Sequence, residues 1–414
     1  MATERLPGIY LHEHIDTMNY GENNKVPCFI GVTQNADADG TKIAKYASFD
    51  EASKSVDDGG IGATGNVESD LEINPLENVL QRFFEEAATT ISESEALPYI
   101  YVVDVGFGQY LEFWKSAIES TKLPHDIGIE AYYGVEQLGD DRQTFLDTMH
   151  ASLIEKAKAF DFRYGFTTIY NNPTDETPTT FTDADLITLA NANKAHNRFY
   201  LWDTQVRDVN ANTLEARTID NYNFGEFVGK CATTPIGDEP GFYDFNNIAA
   251  DTFCKRTSTE AIALQQAGVC FGRDELWNDS LHARINKTTA TTYANDQNSR
   301  PADCYYYARR ICDDTLLEIY DKCYPFIKLR ETDRNVVILQ TKVNTIISER
   351  VERGLLKAYD ADTNPKGSRL TLQDSDTDPF AMIVRGNLQA IGMIESIDVE
   401  TTITAPPLAD TRND

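Results

Sequence analysis

Residues 76–105 read LENVLQRFFEEAATTISESEALPYIYVVDV. The first half carries its apolar residues at helical spacing and predicts a helix over 76–90. The second half closes on YIYVVDV, a short β-branched and aromatic run that predicts a strand over 99–105. Downstream the same alternation continues: a helix at 109–120, a strand at 127–133 (IGIEAYY) and a helix at 142–160, then a strand at 164–170, a helix at 183–195 and a strand at 198–202. Strands alternating with helices of this length predict βαβ units and a largely parallel sheet.

Upstream, residues 26–32 (VPCFIGV) read as a buried strand, and residues 34–75 are acidic and Gly-rich with one short helix near 49–55. Residues 1–25 read as an extended arm holding one strand, Pro7-Gly8-Ile9-Tyr10-Leu11. Past a turn-rich stretch at 233–250, the pattern predicts a helix at 259–267 stopped by Gly268, a short strand at 269–272 and an extended segment at 283–293. Two long helices follow at 302–323 and 334–358. The second has Val336, Leu339, Val343, Ile346, Ile347 and Val351 on one stripe, with Asp333 placed to cap it. After a turn at 361–367 come strands at 380–388 and 392–404. The last alternates Ile397, Val399, Thr401 and Ile403 before Pro406-Pro407 stops it. The expected fold is α/β (α+β overall): an arm at 1–25, an α/β core at 26–255, a C-terminal α+β domain at 256–391, and a strand arm with an acidic tail at 392–414.

Composition narrows the function classes. The 414 residues carry a formal net charge of -29, which argues against nucleic acid or an anionic membrane as a direct partner. It favours solubility and a salt-dependent self-association, and adaptation to high salt is a second explanation of it. No apolar run is long enough to span a bilayer, and the first residues lack a signal-peptide layout, so synthesis is expected to end in the cytoplasm. The seven cysteines contain no C-x-x-C pair, which disfavours a disulfide framework or a structural zinc.

Three motifs invite a catalytic or ligand-binding reading. His12-Glu13-His14 places two imidazoles on one side of an extended run, as metal-dependent hydrolases do, but the remaining histidines fall at the wrong ends of predicted elements. Gly60-Ile61-Gly62-Ala63-Thr64-Gly65 matches the dinucleotide fingerprint without the preceding strand and with Asp57-Asp58 beside it, which would repel phosphate. Asn35 to Gly40 resembles half of an EF-hand loop, but Tyr46 stands where the bidentate Glu belongs. No cofactor is expected.

The ends of the chain carry a resemblance. Pro7-Gly8-Ile9-Tyr10 followed by Cys28-Phe29-Ile30-Gly31-Val32-Thr33 is similar to the opening of contractile tail sheath proteins of phages and phage tail-like particles. Ala267-Gly268-Val269-Cys270-Phe271, the helix through Ile347, Glu349, Arg350 and Gly354-Leu355-Leu356, and the closing Ile394-Glu395-Ser396-Ile397-Asp398-Val399 resemble later segments of that family. Thr233-Thr234-Pro235-Ile236-Gly237 departs from it, standing where the family often has a Ser-Pro-Ala-Asn stretch.

The resemblance implies a non-enzymatic subunit of a virion tail or a released tail-like particle. Such a subunit forms a helical homopolymer around an inner tail tube protein, with baseplate and tail-terminator proteins as further partners. Terminal strands lent between neighbours would stitch the polymer while the cores reorient. On this reading Lys342, Glu349, Arg350, Arg353 and Lys357 could face the tube, or form a solvated helix face. The competing readings are a metal-dependent amidohydrolase-like enzyme using His12 and His14, and another structural protein of the particle.

Overall fold

The computed structural model describes residues 26–32, 39–54, 75–90, 99–105, 124, 126–132, 135, 140–169, 182–204, 223–250, 252–253, 256–277, 279–295, 304–323, 333–374 and 382–392. Eight strands form one sheet: β1 Val26–Val32, β2 Asp39–Tyr46, β3 Ile100–Val105, β4 Ile127–Tyr132, β5 Tyr164–Thr168, β6 Phe199–Asp203, β7 Val269–Trp277 and β8 Ser280–Ile285. Their spatial order is β2-β3-β1-β4-β5-β6-β7-β8. The strands from β3 to β7 in that order run parallel, and antiparallel β2 and β8 close the two sides.

Parallel strands are apolar on both faces because helices cover both. One face carries Phe29, Val102, Ala131, Phe166, Tyr200 and Trp202. It packs against helices α2 (Pro75–Thr90) and α5 (Phe224–Thr233) and the start of α7 (Tyr306–Cys323). The other face, with Cys28, Ile30, Val103, Leu201 and Val269, packs against α3 (Arg142–Lys158), α4 (Asp183–Ala192) and α6 (Ser258–Ala267). The short α1 is Phe49–Ala52. Where α5 crosses α2 the backbones nearly touch: a Cβ on Gly225 would lie 2.1 Å from the Val79 carbonyl oxygen, so only glycine fits there.

The C-terminal part adds α8 (Asp333–Glu352) and an antiparallel pair, β9 (Arg369–Asp374) with β10 (Met382–Asn387). Ile319 of α7, Val343, Ile346 and Ile347 of α8, and Leu370 of β9 form their shared core. Gln340 fastens β9 to α8 twice over: its amide nitrogen donates to the Leu370 carbonyl (2.9 Å), and its oxygen accepts from the Leu372 N–H (2.8 Å).

Several boundaries differ from expectation. The helix expected over 334–358 ends at Glu352, because Gly354 turns the chain at φ +73. The sheet does not stop near residue 255: β7 and β8 extend it to Ile285, and β7 runs to Trp277. The extended segment expected at 283–293 gives way to a 3-10 turn at Thr291–Asn295. Strands β2 and β9 and helix α5 were not expected. The helix at 109–120, the arm at 1–25 and residues 393–404 of the closing strand lie outside the described residues.

Candidate assembly surfaces

Several of the charged groups inside the fold are gathered into hydrogen-bonded clusters. Glu130 accepts from Lys156 (2.9 Å) and Arg163 (3.0 Å), and the Tyr132 hydroxyl donates to its second oxygen. The two cations beside it hold the Glu130 carboxyl below its usual range against the opposing effect of burial. Arg198 donates both guanidinium nitrogens to Asp313 (2.7 and 2.8 Å), and the Tyr164 hydroxyl donates to the same carboxylate (2.9 Å). Both charges are buried. Lys230 of α5 pairs with Glu86 of α2 (2.8 Å), whose carboxylate also accepts from the Asn246 and Asn247 backbone N–H groups.

Arg163 and Arg198 immediately precede β5 and β6, so two of these clusters sit at strand N-termini. Parallel α/β sheets place their reactive groups at the opposite end. These clusters tie elements together: Arg198–Asp313 locks α7 to the sheet, and Lys230–Glu86 locks α5 to α2.

Among the described residues, no group of three or more His, Cys, Asp or Glu could hold a metal ion. His150 and His196 stack with ring centres 4.1 Å apart. Burial pushes the His150 imidazole down to about 4, and burial also lowers His196, which faces Asp147 at 3.3 Å. His12, His14, Gly60–Gly65 and Asn35–Ala38 lie outside the described residues. So do both sets of arm residues, Pro7–Leu11 and Ile397–Ile403.

The surface is more informative. On the β9–β10 pair, side chains alternate between two faces. By register Leu370, Leu372 and Val384 fall on one face, of which Leu370 and Leu372 pack against α8, while Arg369, Thr371, Gln373, Arg385 and Asn387 fall on the other. With Tyr359, whose ring centre lies 4.9 Å from the Arg369 guanidinium, the outer residues line a shallow groove of about 360 Å3. No strand pairs with the far side of β10 among the described residues, and Val384 is left 40% exposed. A second open cleft, about 770 Å3, lies between α7 and α8, lined by Asp314, Glu318, Asp321, Glu349 and Glu352 with Lys322, Arg350 and Arg353.

The residues singled out on the late helix do not share one outward face. Arg350 is only 8% exposed and is held by Asp314 (2.6 Å) and Glu318 (2.8 Å) of α7. Glu349 and Arg353 line the α7–α8 cleft, Lys342 is half-buried, and Lys357 lies past the end of the helix. Exposed residues of α8 include Val337 (64%), Thr341, Asn344, Thr345 and Ser348, with the Thr341 and Thr345 hydroxyls bonded back to carbonyls one turn earlier. Sequence reasoning missed Arg369 and Arg385; their signal was the alternation in RLTLQD and MIVRGN.

No protein-family model matches the sequence, and no curated protein does. Solved structures do match the fold. The helical sheath of the anti-feeding prophage (AFP) in its contracted state aligns with a TM-score of 0.59 at 11% identity, covering 97% of this chain and 99% of that one. The sheath complex of the extracellular contractile injection system PVC, also contracted, aligns at 0.56 with 11% identity over 97% and 98%. The sheath tail protein of Desulfitobacterium hafniense aligns at 0.52 with 12% identity over 98% and 99%. The chain has the fold of contractile tail sheath proteins: a central mixed sheet flanked by helices, with a C-terminal α+β part.

Proposed function

We propose that this protein is the structural subunit of a contractile tail sheath, polymerising helically around an inner tail tube and contracting to drive it through a cell envelope. The observation that carries this is the match of almost the whole chain, end to end, to the contracted sheath of the anti-feeding prophage. The internal charge clusters support a non-enzymatic reading, because their hydrogen bonds tie elements together rather than face a substrate cleft.

The physical mechanism needs adhesive ends and a rigid body. A repeated heterologous contact builds an open helical tube, and strands lent from Pro7–Leu11 and Ile397–Ile403 would stitch neighbours by adding to their sheet edges. The body, cross-tied by Arg198–Asp313 and Lys230–Glu86, moves as a unit between extended and contracted states. We assign helix α8 to the tube side. Its exposed, uncharged residues Val337, Thr341, Asn344, Thr345 and Ser348 suit sliding contact better than fixed ion pairs, while Lys342, Glu349, Arg350 and Arg353 serve α7 and the cleft. Baseplate and terminator proteins would bind the two ends of such a tube, in a virion tail or a released tail-like particle.

Negative-stain microscopy tests the reading. Purified full-length protein should form cross-striated tubes or rings, and deletion of 1–20 or of 396–414 should leave folded monomers. Normal tubes from both truncations would overturn it.

A further inference from the structure

Helix α3 presents a polar stripe to the corner that joins α4 to β6. Gln143, Asp147 and His150 follow at i, i+4 and i+7, so they lie along one side of the helix. The corner contributes Asn193 and His196. The Gln143 and Asn193 side-chain amides bond each other twice, at 3.0 and 3.2 Å. Further along, His196 Nε2 meets the Asp147 carboxylate at 3.3 Å. The His196 ring lies flat on the His150 ring, with centres 4.1 Å apart and planes within 12°. We infer that this stack is an acid-operated latch: it fastens the middle of α3 to the α4–β6 corner while both rings are uncharged, and releases it when they take up protons. The inference concerns the subunit alone and stands whether or not the chain polymerises.

Three features of the geometry carry it. The first is the contact between like groups. Two neutral rings pack well at 4.1 Å, whereas two imidazolium rings there would bring two positive charges together. The second is the ring nitrogens. With His196 Nε2 directed at Asp147, the neutral ring carries its hydrogen there, as assigned from that contact. A further proton would go to Nδ1, which is buried and has no hydrogen-bond partner. His150 Nε2 is buried and unbonded in the same way. A charged ring would therefore hold a buried N–H without an acceptor, which is costly.

The third is the surroundings. The pair is faced by Asp147 from α3 and by Arg198 from the start of β6. Its other neighbours are uncharged: Asn197, the Phe199 ring, and Thr291 and Thr292, whose hydroxyls donate to the His196 carbonyl (3.3 and 3.1 Å). Burial outweighs the pull of Asp147 at both rings, and at His150 the His196 ring and Arg198 add to it. Both imidazoles therefore bind protons more weakly in the closed state. The latch is fully closed above pH 6.5 and is lost as pH falls from there toward about 4. Release is local. The Gln143–Asn193 amides do not titrate, and Lys156 near the far end of α3 holds Glu130, whose carboxyl stays ionised below the usual carboxylate range.

Hydrogen exchange of the full-length chain, read by mass spectrometry and corrected for the intrinsic effect of pH, tests this. Between about pH 7.5 and pH 5, amides of α3 around His150 should lose at least about tenfold in protection. A ring that must shed its proton to close weakens the closed state by up to about tenfold per pH unit below 6.5. Amides of α8 should keep their protection. H150F/H196F preserves two stacked rings and abolishes the charge, so its α3 protection should stay level over the same range. An unchanged α3 in wild type, an equal fall in α8, or a fall as steep in H150F/H196F would each overturn the latch. If circular dichroism shows that this variant does not fold, titration of the wild type decides. Nuclear magnetic resonance of the two ring C–H signals should place both rings below 6.5, and either one titrating at or above that value overturns the inference.

Discussion

The chain contains two sheets built on opposite plans. The eight-stranded sheet is covered on both faces, and its largest side chains, Trp202, Tyr132, Tyr164 and Tyr200, are wholly buried together with Arg163. The two-stranded sheet is covered on one face only and turns arginines outward. Charge follows the same division. In the large sheet, ions are taken out of water and must be paired within the subunit, which stabilises nothing unless every partner is present. In the small sheet the arginines stay at the surface, Arg369 over the Tyr359 ring, so their charges are not taken out of water. One sheet holds the subunit together from inside, and the other presents a basic face at its surface.

The sharpest way to break this contrast is to remove one buried partner. D313A would leave Arg198 charged and buried and deprive the Tyr164 hydroxyl of its acceptor, so denaturant unfolding should show a loss of about 3–5 kcal/mol. A loss under about 1 kcal/mol would mean that the cluster is not structural.

A second test uses pH. Burial against α2 pushes the Glu226 carboxyl of α5 up to about 7 from 4.5, with Arg82 only partly offsetting it. The fold therefore favours the protonated form. This contribution is complete below pH 4.5 and is lost as pH rises through about 7. The change is roughly 3 kcal/mol, because every tenfold gain in proton affinity on folding contributes about 1.4 kcal/mol. Comparing the pH dependence of unfolding in wild type and E226Q isolates it: the substitution should flatten that fall, and parallel curves would refute the assignment.

The smallest stability effect belongs to the small sheet. V384S, at a position 40% exposed, should change monomer stability by no more than about 0.5–1 kcal/mol in denaturant unfolding. A loss as large as that of D313A would reverse the contrast.

What was legible in the sequence follows the same divide. Strands β1, β3, β4, β5 and β6 announced themselves because strands buried on both faces are nearly continuous apolar runs. Helix α5 was missed although Glu226, Lys230 and Thr233 fall at helical spacing, since all ten of its residues are buried and its two glycines, Gly225 and Gly229, weaken the helical signal. Strand β2 is an edge strand with charges at Asp39, Lys42 and Lys45, and its pairing is long-range. The internal ion pairs were illegible for a related reason: Arg198 and Asp313 are 115 residues apart, and nothing local links them. The outward placement of Arg369 and Arg385 became visible only once Leu370 and Leu372 were seen packed toward α8. The sheath resemblance came from segments at both ends of the chain, whereas the fold match runs through the middle as well.

Gln340 has a consequence for how the small sheet finds its place. Its amide takes the Leu370 carbonyl and the Leu372 N–H of a strand 30 residues further along the chain. A slide of β9 along α8 by a single residue would break both bonds at once. One glutamine side chain thereby acts as a latch that fixes where the last strands settle on the helix.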